Sequence, residues 1–267
     1  MNERTKQILT RWLGSAGFDW LRARKRDWDA FNAACRHGNW QYMRVRRYYR
    51  ENSIKLYDEG RLVEWPLDER SLVVDVGGFR GDWAWTIARK YNSRILVIEP
   101  VPDYCAQIKA RFAARPNVSV FNLGLLDHNG EMAIDVAEEG SSFFGKPHAP
   151  RNNVSSGVRV PIMDVADFLD LHRIAAVDLM KLNIEGGEYP VLRRLIDTGR
   201  ISTIHRLLVE FHAFYPQAHR LRRAIQRQLS KTHECVFDYP FFWECWQKLL
   251  IWKFIIFGGK YQQFWCL

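Results

Sequence analysis

With 267 residues, 47% of them hydrophobic and 26% charged, the chain has the composition of a folded globular protein, which excludes a largely disordered one. Its net charge of +9 favours an anionic partner, and nucleic acid, an anionic glycan, a phospholipid surface and a lipid-pyrophosphate carrier all meet that condition. Five cysteines without a C-x-x-C pair argue against a disulfide framework and a structural zinc site, and they predict reduced thiols in a cytoplasmic protein.

Residues 1–70 predict a helical, basic and tryptophan-rich extension ahead of a main domain at residues 71–267. Two arginine-rich clusters, at residues 22–26 and 44–50, are interleaved with tryptophan and tyrosine. Such a surface suits an anionic or carbohydrate partner, although a solvated basic face above an aromatic core has the same composition. We find no secretory signal and no apolar run long enough to span a bilayer, so we expect a cytoplasmic protein and leave peripheral contact with the anionic inner membrane face open.

The main domain begins with a buried strand that ends in a glycine-rich turn. Residues 72–76 are apolar apart from Asp75, and the turn contains Gly77, Gly78 and Gly81. Branched apolar residues suit a strand covered on both faces, and glycines let a ligand approach the backbone. Because open α/β sheets bind ligands at the carboxyl ends of their strands, this stretch predicts a small-molecule site.

A crossover helix at residues 83–91 and a second buried strand at residues 94–100 follow, and this strand ends in Glu99 and Pro100. An acid at the end of the second strand accepts hydrogen bonds from ribose hydroxyls in nucleotide-binding folds. Pro100 stops strand pairing directly after the acid. The next helix, at residues 103–114, leads to a third strand that ends in Asn122, whose amide suits an adenine edge.

The middle of the chain predicts a hairpin turn at residues 127–130 and a glycine- and serine-rich loop at residues 140–156, which is either a lid or a plain surface loop. A fourth strand at residues 177–185 ends in Glu185, and Glu188 opens the helix after it. A fifth strand at residues 204–212 ends in Glu210 and His212, which alternation places on one side. Both strands bring ionisable groups to the predicted ligand edge.

The C-terminal part predicts an amphipathic helix at residues 216–230 and two last strands within residues 235–257, joined by a turn near Pro240 or Trp246. Trp243, Trp246 and Trp252 either line an acceptor pocket or pack in the core.

The sequence of the glycine turn also limits which cofactor the site can bind. A turn that binds a nicotinamide dinucleotide typically has the sequence G-x-G-x-x-G, but Val76 occupies the position of its first glycine. The chain also has no P-loop motif. A ligand with ribose and adenine but no phosphate fits better, so we expect S-adenosylmethionine and regard a nicotinamide-dependent oxidoreductase as the least favoured alternative.

An ordered set of segments resembles the FkbM-type methyltransferases, a family of S-adenosylmethionine-dependent O-methyltransferases. The matching segments are residues 74–81 (VDVGGFRG), 98–100 (IEP), 121–127 (FNLGLLD), 163–169 (MDVADFL), 181–192 (KLNIEGGEYPVL) and 208–212 (LVEFH). The resemblance implies an α/β class I methyltransferase fold, a Rossmann-like sandwich around a seven-stranded, mostly parallel sheet with an antiparallel last strand. Residues 253–257 would form that strand.

The turn, the strand ends and the resemblance together predict the cofactor-binding residues Asp75, Gly77, Gly78, Phe79, Gly81, Glu99, Pro100, Asn122, Leu123 and Asn183. Two segments depart from the family pattern, which usually has Ala-Asn at Gly78-Phe79 and Asp at Asn183. The neutral Asn183 weakens any proposal for a divalent metal, which the sequence leaves open but does not support.

We expect a methyl group to pass to an acceptor hydroxyl above the ends of the fourth and fifth strands, with His212 as the first candidate for the base, followed by Glu185 and Glu210. The resemblance implies a sugar hydroxyl of a cell-surface or secreted glycan, which can be lipid-linked, or a hydroxyl of a secondary metabolite. An RNA methyltransferase and a cofactor-binding protein without catalysis are the alternatives, and the sequence does not address the oligomeric state.

Overall fold

The computed structural model describes residues 60–134 and 158–249 in full and the strand residues 255–257 and 260–262 as backbone alone. The chain divides into two units, Met1–Asp58 and Glu59–Leu267, and all described residues belong to the second. Residues 1–59 of the predicted N-terminal extension, the loop at residues 140–156 and Trp252 therefore lie outside the described residues, and the predictions made for them stay predictions.

A seven-stranded sheet forms the centre of the described unit. Its strands are β1 (Leu72–Val76), β2 (Arg94–Ile98), β3 (Val118–Phe121), β7 (Leu179–Leu182), β8 (Arg206–Val209), β9 (His233–Asp238) and β10 (Glu244–Lys248). They lie in the order β3-β2-β1-β7-β8-β10-β9, and β10 runs antiparallel to both of its neighbours. This confirms the predicted seven-stranded, mostly parallel sheet with an antiparallel last strand.

Five α-helices connect these strands: α1 (Asp82–Tyr91), α2 (Pro102–Arg111), α3 (Val165–Leu171), α4 (Glu188–Asp197) and α5 (Ala218–Leu229). A 3-10 turn at Arg200–Thr203 precedes β8. The central strands are apolar along almost their whole length because helices cover parallel strands on both faces. Val73, Val74, Leu179, Leu182 and Leu208, for example, are completely buried.

The antiparallel strand is β10 at Glu244–Lys248, so the assignment of residues 253–257 to it was wrong. A short turn containing Pro240 joins β9 to β10, and Glu244 pairs with Val209 of β8. Ile255–Phe257 (β11) instead pairs with Lys260–Gln262 (β12) in a separate two-stranded sheet. Trp243 and Trp246 are buried, which is the core packing that we weighed against an acceptor pocket.

The turn at residues 127–130 does not close a hairpin, which corrects a second prediction. It joins β4 (Gly124–Leu126) to β5 (Gly130–Ile134), but both strands pair with β6 (Val158–Asp164), which lies between them. Asn129 in the turn explains the arrangement, because its Oδ1 accepts a hydrogen bond of 2.9 Å from Asp164 N at the end of β6. The turn is therefore fixed to β6 and not to a partner strand of its own.

Candidate cofactor and acceptor site

The turn after β1 lies against the carboxyl ends of its two neighbouring strands. Gly77 N and Gly78 N both donate to Ile98 O at the end of β2, at 3.0 and 3.1 Å. On the other side, a Cβ atom at Gly77 would lie 2.0 Å from the carbonyl oxygen of Asn183, and Gly77 has a φ of 85°. Only glycine fits both this backbone conformation and the close approach of Asn183 O. At Gly77, the turn that was predicted to hold a ligand is therefore shaped by packing against the neighbouring strand.

Asp75 is completely buried and forms an ion pair with Lys181 of β7, its direct neighbour in register. Lys181 Nζ lies 2.7 Å from Asp75 Oδ1 and also donates to Gly77 O at 3.1 Å. Burial raises the pKa of the Asp75 carboxyl, and the Lys181 ammonium opposes that rise. Among the described residues, nothing hydrogen-bonds the second carboxylate oxygen, Asp75 Oδ2.

Glu99 joins the end of β2 to the glycine turn. Its Oε2 accepts from Phe79 N at 2.7 Å and its Oε1 accepts from Val101 N at 2.9 Å. Burial raises the pKa of Glu99 to about 7, although these two amide donors lower it. Phe79 has a φ of 51°, the left-handed conformation in which Asn is enriched, which fits the asparagine that the family usually has here.

Asn122 follows β3 and stabilises the loop at the end of β2. Its amide nitrogen donates to Glu99 O at 3.0 Å and to Pro100 O at 2.9 Å. Both amide hydrogens are used, so only its side-chain oxygen is left to contact a ligand. Leu123 comes next in the chain and is half-buried.

A second group of ionisable residues lies after β7 and β8. Glu188, the first residue of α4, is fully buried, and its Oε1 lies 2.7 Å from His212 Nδ1. On the other edge of the imidazole ring, His212 Nε2 lies 3.5 Å from Glu185 Oε2. Glu185 and His212 keep 19% and 14% of their side chains exposed, so this carboxylate–imidazole–carboxylate arrangement meets solvent on one side.

These neighbours determine the protonation states. Burial lowers the pKa of His212, but Glu188 and Glu185 together outweigh burial and hold it well above the ordinary value. Burial raises the pKa of Glu210 to about 7, while His212 lowers it. At neutral pH His212 is therefore an imidazolium, and Glu210 is the group that titrates.

Sequence reasoning missed Lys181 and Glu188 as site residues. Lys181 had a signal, because a lysine within a buried apolar strand needs an anionic partner, and Asp75 occupies the same register one strand away. The sequence signal for Glu188 was weaker, since an acid in the first turn of a helix most often only interacts with the helix N-terminus.

The described residues fit S-adenosylmethionine at the β1 end of the sheet. The orphaned Asp75 Oδ2 is a buried acceptor for an amino group, and Glu99 presents carboxylate oxygens for ribose hydroxyls. Within residues 60–134 and 158–249, no group of three or more His, Cys, Asp and Glu side chains is arranged to hold a metal ion. No helix of that same part of the chain is both long and apolar enough to cross a membrane.

The sheet order with its antiparallel β10 is that of the class I methyltransferases. A family model described as the methyltransferase FkbM domain matches residues 75–239. The chain belongs to this family, which confirms the resemblance inferred from the sequence, and S-adenosylmethionine is the cofactor that agrees with it.

Similar solved structures include an rRNA methylase from Streptococcus thermophilus, with 12% identity, a TM-score of 0.42, and coverage of 69% of this chain and 90% of that one. A precorrin-6y C5,15-methyltransferase from Geobacter metallireducens has 12% identity, a TM-score of 0.38 and coverage of 69% and 83%. Aeropyrum pernix fibrillarin with bound S-adenosyl-L-methionine has 10% identity, a TM-score of 0.39 and coverage of 70% of each chain. At these values the likeness carries no argument about the acceptor. A comparison with curated proteins found no significant match.

Proposed function

We propose that the protein is an S-adenosylmethionine-dependent O-methyltransferase that methylates a sugar hydroxyl of a cell-surface or secreted glycan, which can be lipid-linked. The observation that carries this proposal is the carboxylate-rich end of β7 and β8. Glu185 and Glu210 are partly exposed there, and carboxylate oxygens are good acceptors for sugar hydroxyls. Glu185 and Glu188 act on Glu210 with the same sign of charge, and of the two cations that oppose them Lys181 is already paired with Asp75, so phosphate groups at the reacting end are disfavoured.

The cofactor is assigned to the other half of the same edge. Asp75 Oδ2 is placed to accept from an amino group and Glu99 to accept from ribose hydroxyls. When bound, the cofactor supplies a sulfonium methyl group that is already activated. The chain then has to position the acceptor, exclude competing water and remove one proton.

The proton of the acceptor hydroxyl is assigned first to Glu210. A base works best when its pKa is near the working pH, and the pKa of Glu210 is about 7. His212, our first candidate from the sequence, holds a proton of its own at neutral pH because Glu188 and Glu185 raise its pKa. His212 and Glu185 therefore become the second and third candidates, and their charges act on Glu210.

The net charge of +9 favours one second candidate function, RNA methylation. Most of this excess lies outside the described residues, because residues 1–59 contain 13 Lys and Arg against 7 Asp and Glu. The charge therefore supports binding of an anionic partner or membrane surface by the extension and does not identify the group that is methylated.

Transfer of a radiolabelled methyl group from S-adenosylmethionine into separate glycan, lipid-linked glycan and RNA pools tests the proposal, with and without a chelator. We expect label in a glycan pool, in a form that nuclease treatment does not release. Label that appears in RNA and is lost at high salt supports the second candidate instead. Cofactor binding without transfer to any pool identifies a non-catalytic binding protein.

The base is tested with Glu210→Gln and His212→Ala beside the exposed control Glu234→Gln. Glu210→Gln should keep cofactor affinity and lose transfer, whereas the control should keep both. Unchanged transfer in Glu210→Gln together with loss in His212→Ala would restore His212 as the base.

A further inference from the structure

Glu188 connects three parts of the acceptor end although it is completely buried. Its Oε1 accepts from Ile184 N at 3.1 Å, and its Oε2 accepts from Gly186 N at 2.8 Å. The same Oε1 lies 2.7 Å from His212 Nδ1, on the segment after β8. One buried carboxylate therefore links the turn after β7 to the segment after β8.

The turn that Glu188 holds contains Glu185 in an unusual backbone conformation. Glu185 has a φ of 51°, which is uncommon for a residue other than glycine. The amides on both sides of it, Ile184 N and Gly186 N, are the two that donate to Glu188. Such conformations persist where surrounding contacts determine them, and here they bring the Glu185 carboxylate to His212 Nε2.

The segment after β8 is held from the same helix turn. Tyr189, the residue after Glu188, donates its hydroxyl to His212 O at 3.0 Å, while Glu188 holds the imidazole ring. His212 is thus fixed by its backbone and by its side chain. Glu188 does not cap α4, because the two amides that it binds, Ile184 N and Gly186 N, precede the helix.

We propose that Glu188 is a positioning residue for the acceptor end of this site. It holds His212 through Nδ1 and the turn through two amides, so that Glu185 and His212 are presented together beside Glu210. This role rests on the proposed methyl transfer, but the protonation of His212 can be measured without any acceptor.

The test follows the protonation of His212 by nitrogen NMR of histidine-labelled protein, with His212→Gln used to assign its signals among the eight histidines. In the wild type, His212 should keep both ring protons well above pH 6.5, the ordinary midpoint for histidine. Glu188→Gln should lower this midpoint by about 1 to 3 pH units, because it removes an adjacent buried charge. Glu188→Asp should restore part of the loss, and Glu234→Gln should leave the midpoint unchanged.

The corresponding readout in the labelled transfer assay is a lower kcat for Glu188→Gln at unchanged cofactor affinity, with partial rescue by Glu188→Asp. A wild-type His212 that titrates near its ordinary midpoint overturns the proposal, even if neither Glu188 variant folds. An unchanged midpoint in folded Glu188→Gln overturns it as well. If methyl transfer fails in the wild type but the NMR result holds, the proposed function is wrong and the contact between Glu188 and His212 still stands.

Discussion

Lys181 Nζ lies 2.7 Å from Asp75 Oδ1 in the interior of the sheet, where β1 and β7 are direct neighbours. The two side chains are 7% and 0% exposed, so both charges are removed from water. A buried ion pair rarely adds net stability compared with apolar residues, because desolvation offsets the attraction. The pair leaves Asp75 Oδ2 without a hydrogen bond among the described residues, and the Lys181 ammonium favours the ionised form of this carboxyl while burial opposes it. This fits the contact with an amino group that we propose for the oxygen.

Replacing Lys181 by methionine should destabilise the protein in a pH-dependent way. The change leaves Asp75 as a buried charge without a partner, which costs about 3 to 5 kcal/mol in the free energy of unfolding near neutral pH. Without Lys181 the raised pKa of Asp75 rises further, so the folded state binds more protons than the unfolded state above about pH 4. Stability of the variant therefore falls as the pH rises, and urea unfolding at pH 5 and pH 8 measures the difference.

The matched control for this prediction is the double variant Asp75→Asn, Lys181→Met, which removes both charges. It should recover much of the stability at pH 8 but bind S-adenosylhomocysteine more weakly than the wild type. A loss in Lys181→Met that is the same at both pH values would show that Asp75 does not titrate as inferred.

Cofactor affinity should increase as the pH rises through about 7, the pKa to which burial raises Glu99. Ribose hydroxyls donate to the ionised carboxylate, so deprotonation below this pKa has to accompany binding. We expect the affinity for S-adenosylhomocysteine, measured by calorimetry, to rise between pH 6 and pH 8 by less than about tenfold per pH unit. Glu99→Gln should bind more weakly at pH 8 and show little pH dependence.

Glu210 provides the control because its pKa is also about 7. Glu210→Gln should keep the pH dependence of cofactor affinity if Glu99 is its source. If the pH dependence of cofactor affinity is lost in Glu210→Gln but not in Glu99→Gln, then its source is the acceptor end of the site.

Gly77→Ala should destabilise the fold more than Gly199→Ala does. Both glycines have a positive φ, 85° at Gly77 and 73° at Gly199, so each alanine is strained by about 1 to 2 kcal/mol. Only at Gly77 would the new Cβ also collide with a backbone atom, the carbonyl oxygen of Asn183, whereas nothing lies within 4 Å at Gly199. The difference in urea unfolding free energy between the two variants therefore measures the cost of the contact between the new Cβ and Asn183 O. Equal losses of stability would contradict this close contact.

The positions of Asp75, near the end of β1, and of Glu99, directly after β2, were predictable because each acid follows a buried apolar run, and local pattern determines a strand. The antiparallel strand was misplaced because several aromatic runs between residues 235 and 257 satisfy the strand pattern equally well. Pairing of Glu244 with Val209 decides between them, and local periodicity does not encode such distant pairing.

The contacts that organise the acceptor end were beyond sequence reasoning for the same reason. Alternation placed Glu210 and His212 on one side of the strand, but the partner of His212 comes from a helix that starts 24 residues earlier in the chain. Its neighbouring charges then reverse the expectation from its ordinary pKa, because Glu188 and Glu185 keep His212 protonated. The residue types were therefore predictable, and their protonation states required the fold.

Arg222 of α5 forms a second buried ionic group away from the candidate site. Its guanidinium pairs with Glu244 of β10 through Nε and with Asp238 of β9 through Nη2. Glu244 is completely buried, and burial raises its pKa while Arg222 opposes that rise. These contacts hold α5 against the antiparallel end of the sheet.

Arg222→Met should therefore cost about 3 to 5 kcal/mol in the free energy of unfolding near neutral pH, because Glu244 is left as a buried charge without its cation. The double variant Arg222→Met, Glu244→Gln should recover much of this loss, since glutamine removes the buried charge and its amide oxygen can still accept from Trp246 Nε1. Arg223→Met, which changes an exposed residue on the same helix, serves as the control and should alter stability by about 0.5 kcal/mol or less. Urea unfolding of the wild type, Arg222→Met, Glu244→Gln and the double variant closes the double-mutant cycle, and a double variant as unstable as Arg222→Met would show that the lost packing of the arginine side chain, and not its charge, determines the effect.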